Sequence, residues 1–209
     1  MKGILRLLRK KMKPEPDNER QDSMLFTTAF TGLGLDPNLM VPWEARAAEV
    51  GATRMSAERG TKLLQAVWSN DQFMRPLEKD AIARMEGFFS FATVGANRDL
   101  IRQDEYGNFM LVLLSGSVAI DRLQPWGERL HLSEAAPGEI LGEMSLLDSG
   151  IRFSVCTTLN TCEIAILSAE AMDEMVATAP ALAANLVALL ARKLSLRLRA
   201  VSARLRDNK

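Results

Sequence analysis

The chain has little of what enzymes and metal sites are usually built from. Its 209 residues include one histidine, His131, and two cysteines, Cys156 and Cys162. No Cys/His group has metal-ligand spacing, so no metal is expected. His131 stands between Leu130 and Leu132 in a strand pattern, which points its side chain away from a core. No nucleophile is arranged beside it, and catalysis is not expected. The glycines of Gly32-Leu33-Gly34 lack the further glycine and the preceding strand of a dinucleotide fingerprint. Long apolar runs are missing too. Leu111–Leu114 and Leu186–Leu190 are the longest, and both fall far short of the roughly 20 residues that cross a bilayer. Charges interrupt the N-terminus throughout, unlike a secretory signal. The expected compartment is the cytoplasm, where free thiols are the better reading for Cys156 and Cys162. They flank "TTLN", which reads as a hairpin loop, so a bridge is within reach.

Net charge is absent as well: 26 Lys and Arg balance 26 Asp and Glu. The balance hides a pattern. Lys2, Arg6, Arg9, Lys10, Lys11 and Lys13 crowd the start without an acid, and Arg192, Lys193, Arg197, Arg199, Arg204, Arg206 and Lys209 crowd the end against Asp207. The body between them is acidic, which argues against nucleic acid wrapping a central domain. No specific DNA binding is expected.

Four segments follow from pattern. Residues 1–20 hold a basic amphipathic helix over Met1–Lys13 and a polar, Pro-containing linker. Such a helix can lie on an anionic membrane surface or on a partner; otherwise it is a solvated terminus. Residues 21–76 mix loops with helical pieces, including a helix over Ser56–Trp68. Residues 77–180 open with a helix over Glu78–Phe89 and then change period. "FMLVLLSGSVAIDRL", "ERLHLSEA", "RFSVCTTL" and "CEIAILS" are short, apolar or alternating, and punctuated at Gly107, Gly116, Gly127 and Gly138. They predict a compact antiparallel roll. Ser168 is placed to cap a short helix, and Pro180 to open a long one. In 181–209 that helix carries an apolar seam of Val187, Leu190, Leu194, Val201 and Leu205, broken by Arg197. The seam predicts a homodimer; the alternative is a helix folded back on its own roll. The fold class is therefore α+β: a jelly-roll-like antiparallel β-roll flanked by N-terminal helices and a long C-terminal helix.

"PGEILGEMSLLDSGIRFS", Pro137–Ser154, has an order no core requires. Gly142 permits close backbone approach, Met144–Leu147 is about one helical turn, and Arg152 offers a planar fork suited to phosphate oxygens. Glu143 would repel a phosphate but would accept a bond from a neighbouring sugar hydroxyl. Together they describe a nucleotide with a singly charged, compact phosphate. An ordinary Glu143–Arg152 ion pair is the plain alternative.

In these residues the sequence resembles the cyclic nucleotide-binding domain family, which includes the catabolite activator protein and the regulatory subunits of cAMP-dependent protein kinase. The resemblance covers roughly 77–205: "RQDEYGNFMLVLLSGSV" as strand, turn and strand, "PGEILGEMSLL" and "DSGIRFS" as the two ends of the phosphate-binding cassette, and "LAANLVALLARKL" as the closing helix. It implies a cAMP ligand, with cGMP an alternative. Gly142 and Met144 would lend backbone to the sugar-phosphate, with Ser145 in the same cassette. Glu143 would take the ribose hydroxyl and Arg152 the cyclic phosphate, completed by Phe153 and Ser154. Ile140 and Leu141 would line the purine pocket. The stretch of the closing helix that meets the base reads Lys193 and Arg197, of which Lys193 is assigned to the site. Two positions depart from the family pattern: Ile151 stands where Pro is frequent, and Phe153 where a small residue is usual. Phe153 would crowd the ligand if it pointed into the cassette. No recognition-helix pattern, internal repeat or pseudosubstrate segment accompanies the domain. The expectation is a non-catalytic sensor whose helices rearrange on binding and signal to a separate, unidentified effector protein. The alternative is a degenerate member that serves as an interaction scaffold.

Overall fold

The computed structural model describes residues 25–34, 36–74 and 79–207. The expected basic helix over 1–13 and its linker lie outside them. Among the described residues nine strands form two antiparallel sheets: β1 (Thr53–Arg54), β2 (Ser90–Val94), β3 (Asp99–Ile101), β4 (Phe109–Ser115), β5 (Val118–Leu123), β6 (Arg129–Ala135), β7 (Ile140–Leu141), β8 (Val155–Thr158) and β9 (Cys162–Ser168). The first sheet runs β1-β2-β9-β4-β7 and the second β3-β8-β5-β6. The predicted antiparallel roll is what forms. The helices are α1 (Leu25–Gly32), α2 (Trp43–Val50), α3 (Ala57–Ser69), α4 (Lys79–Glu86), α5 (Glu143–Asp148), α6 (Ala169–Thr178) and α7 (Pro180–Asp207), with a 3-10 turn at Pro37–Leu39.

The inner strands of the first sheet, β9 and β4, are buried on both faces. On β4, Phe109, Leu111 and Leu113 point into the roll beside Ile164, Ile166 and Val118. Met110, Val112 and Leu114 point the other way, into a second core with Trp68, Met85, Met172 and Leu186. That is why "FMLVLL" is a continuous apolar run rather than an alternating one. Helix starts are chemically marked. Ser56 accepts a bond from the Arg59 amide at 3.4 Å, and Ser168 from the Ala171 amide at 3.2 Å, each satisfying a free N–H of the first turn. Asp173 does the same for α1, accepting from the amides of Phe26 and Thr27 at 2.9 Å.

Three expectations meet corrections. Cys156 and Cys162 do not flank a hairpin: β8 pairs with β3 and β5, while β9 pairs with β2 and β4 in the other sheet. Both thiols are free and buried. The strands β2 and β3 begin the roll, although periodicity marks neither. The apolar seam of α7 is divided. Of its residues, Leu190 is buried in the molecule's own core with Leu182, Leu186 and Leu189 beside it, whereas Val187 and Val201 are exposed. The first half of the helix folds back on the body, and the second half touches it again through Arg197, which donates to the Ile140 carbonyl.

Glu86 is a buried polar residue of the helix-side layer. One carboxylate oxygen accepts from Gln65 at 3.1 Å, and the other is buried without a partner. Burial raises its pKa above the ordinary 4.5, and the Gln65 bond offsets only part of this. The native state therefore binds this proton more tightly than the unfolded chain. Its contribution favours folding below that ordinary value and is lost as pH rises through the native value. Glu86→Gln is expected to raise Tm, more at pH 7 than at pH 4, in paired thermal melts.

Candidate nucleotide-binding site

The site is assembled where β7 runs into α5 and where the chain re-enters the second sheet before β8. Gly142 caps α5 in the left-handed region, at φ 77°. A side chain there would be strained, and its Cβ would overlap the Arg152 guanidinium and Ile101. Glycine at 142 is thus required both by the turn and by the arginine packed on it.

Arg152 is buried, at 3% exposure. It donates from Nη1 to the Gly142 carbonyl at 2.6 Å and from Nη2 to the Phe109 carbonyl at 2.7 Å. Its guanidinium lies 4.6 Å from the centroid of the Phe109 ring, a cation–π contact. Burial pushes its pKa down to about 10, against the favourable charges of Glu143 and Glu105. It remains charged at pH 7, a fixed cation beneath a cavity of about 540 Å³. That volume suits a small-molecule ligand.

Nine of the predicted residues line this one cavity: Ile140, Leu141, Gly142, Glu143, Met144, Ser145, Arg152, Phe153 and Ser154. Ile140 and Leu141 are buried against it and Met144 stands half-exposed. Phe153 does not enter the core. Its ring is exposed and lies 4.0 Å below the Arg122 guanidinium, while its carbonyl accepts from Arg122 at 2.7 Å. The plain Glu143–Arg152 ion pair is not formed. The partner of Glu143 is Arg197, at 2.5 Å, and Arg197 also donates to the Ile140 carbonyl at 2.8 Å.

Lys193 needs correction: it is outside the cavity wall. It pairs at 2.6 Å with Asp71, just past the end of α3. Burial alone would raise the Asp71 pKa, but Lys193 and the amides of Phe73 and Met74 outweigh it and hold the carboxyl below its usual range. Arg197, one turn further along α7, lines the cavity with Ala200 and Val201. The sequence did carry a signal for it, as the arginine that interrupts the apolar seam. The opposite wall comes from Ile101, Ile120, Leu132 and Ser133, which no local motif marks. Cys156 also lines it, and burial pushes its thiol up to about 12, so it stays neutral. His131 is exposed and pairs with Asp121 at 2.8 Å, away from the cavity. Among the described residues no cluster of His, Cys, Asp and Glu could hold a metal, and no helix is long and apolar enough to cross a membrane.

Comparison with known proteins agrees with this geometry. Residues 92–179 match the family model described as the cyclic nucleotide-binding domain. A cyclic AMP receptor protein of Thermus thermophilus is 34% identical over 97 residues, 46% of this chain and 45% of that protein. A CRP-like cAMP-activated global transcriptional regulator of Mycobacterium tuberculosis is 27% identical over 118 residues, 56% of this chain and 53% of that one. The chain thus matches about half the length of these curated relatives. A cyclic nucleotide-binding domain from Methylobacillus flagellatus superimposes with a TM-score of 0.69 at 18% identity, over 76% of this chain and 89% of that one, and establishes the shared fold. The Gly-Glu turn and the buried arginine both fall within the span 92–179, and it is this span that is similar to the cyclic nucleotide-binding domain family.

Proposed function

We propose that this protein is a cyclic nucleotide sensor, with cAMP the preferred ligand, that reports occupancy to a separate effector protein. The observation that carries the reading is that Arg152 and Glu143, nine residues apart in the sequence and both buried, line the same cavity without pairing with each other. Arg152 supplies the fork for the cyclic phosphate, and Phe153 and Ser154 complete that side. Glu143 accepts from the ribose hydroxyl. Ile140 and Leu141 receive the base, and Gly142, Met144 and Ser145 shape the sugar-phosphate wall. Lys193 is not given a ligand role; Arg197 takes its place. The names of the Thermus and Mycobacterium relatives favour cAMP over cGMP.

Signalling follows from competition at Glu143. A ribose hydroxyl bonded there weakens the hold of Arg197, and with it the tie between the cassette and the second half of α7. Ligand shifts the helix only to the extent that it binds the released arrangement better. The exposed Leu198, on α7 and outside the cavity wall, marks the surface through which α7 would pair with a second copy. Neither catalysis nor a metal enters this scheme, and a cytoplasmic protein, with residues 1–13 as a membrane-surface contact, fits it. Calorimetric titration of ligand-stripped protein with cAMP and cGMP tests the reading. Saturable binding with a stronger response to cAMP is expected, together with altered hydrogen exchange over residues 193–207 that Arg197→Ala removes. A folded protein that binds neither nucleotide would make it a scaffold instead.

A further inference from the structure

The segment before the roll reaches the phosphate side of the site from behind. On α2, Trp43, Arg46 and Val50 are buried on one face at helical spacing. Trp43 and Val50 join the interior core of the roll, and between them Arg46 is only 1% exposed. Trp43 meets the Phe109 ring edge-on, with centroids 5.6 Å apart at 70°. Phe109 is the ring, and its carbonyl the acceptor, against which the Arg152 guanidinium is held.

Arg46 takes the second route. It pairs with Glu49 at 2.5 Å and with Glu105, while Arg102 also pairs with Glu49. Glu105 belongs to the loop that grips the main chain of Arg152: its carbonyl accepts from the Arg152 amide at 2.8 Å, and the Asp104 amide donates back to the Arg152 carbonyl at 2.9 Å. In the same loop Gly107 lies so close beneath the guanidinium that a Cβ would fall 2.7 Å from Nε. The loop is in turn tied to the segment ahead of α2, where the Val41 amide donates to the Tyr106 carbonyl at 2.9 Å. A buried arginine is costly to desolvate and is retained where its partners need it held. Neither Trp43 nor Arg46 lines the cavity.

We propose that α2 is a clamp for the phosphate side of the site, with Trp43 and Arg46 as positioning residues that fix Arg152 through Phe109 and through the Glu105 loop. The inference rests on Arg152 being the phosphate ligand, so its test has one arm without nucleotide. In that arm the Nε–Hε signal of Arg152 is followed by NMR in the full chain, assigned by its disappearance in Arg152→Lys. Arg46→Gln and Trp43→Leu are expected to shift and broaden it, while Arg46→Lys and Trp43→Phe restore it and the amide signals of α3 stay in place. In the second arm, calorimetry with cAMP is expected to show about tenfold weaker binding for Arg46→Gln, recovered in Arg46→Lys. An unmoved Arg152 signal with unchanged affinity overturns the clamp. So does a loss that spreads to α3 or is not rescued by the conservative variants. A disturbed Arg152 signal in a protein that binds no nucleotide would uphold the clamp and overturn the reading of the ligand.

Discussion

Arg152→Ala is expected to weaken cAMP binding by about a hundredfold or more, read by calorimetry. Removing a buried charged partner of a ligand anion costs on the order of 2–5 kcal/mol, and 2.7 kcal/mol is about a hundredfold. The same side chain also ties the Gly142 and Phe109 carbonyls together, so thermal stability falls as well. Buried acceptors left unpaired cost about 1–3 kcal/mol each. Arg152→Lys separates the two effects. It keeps the charge but loses the planar fork, and a compact ammonium cannot reach both carbonyls and a phosphate at once. An intermediate affinity is expected for it. Undiminished binding by a folded Arg152→Ala protein would remove the arginine from the phosphate and leave the cavity to another ligand.

Trp68→Ala carries the largest expected effect on stability, a loss of about 3–5 kcal/mol. Trp68 is 2% exposed and packs edge-on against Phe89, with ring centroids 5.5 Å apart. It sits in the same core as Met110, Val112 and Leu186. The truncation empties a site walled by a strand of the roll and by α7, which cannot close inward without moving both. Urea denaturation of the variant should show one transition at a lower midpoint with the slope unchanged. Two transitions, or a midpoint that hardly moves, would mean that the helices before the roll unfold on their own. A single shared transition would make residues 43–74 integral to the roll.

Much of this was legible in the primary structure because the relevant physics is local. Ser56, Ser168 and Pro180 mark helix starts, since free N–H groups and a fixed φ are properties of a few consecutive residues. The Gly-Glu pair and Arg152 were legible as neighbours on one cavity because one turn of helix and one loop separate them. The strands β4 to β6, β8 and β9 announced themselves by apolar content between turn residues. The strands β2 and β3 did not, because β3 has only three residues and the Phe88-Phe89 connection before β2 extends the apolar spacing of the preceding helix beyond its end at Glu86.

By itself, the sequence determined the class of fold and the starts of the helices at Ser56, Ser168 and Pro180, and it marked the candidate residues from Ile140 to Ser154; the helix expected over Glu78–Phe89 ends earlier, at Glu86. It could not decide between Lys193 and Arg197, which stand four residues apart on one face of α7. That depended on where α3 ends, because Asp71 captures Lys193 and leaves Arg197 to reach Glu143. It also could not separate the leucines of α7 that serve the core from those left exposed, since both kinds recur along the same helix. Nor could it place Cys156 and Cys162 in different sheets. Only the tertiary structure decided these points, and it was the tertiary structure that set Trp43 against Phe109 and Arg46 against Glu105, behind Arg152. Each depends on contacts between segments far apart in the chain, and no window of neighbouring residues contains both partners.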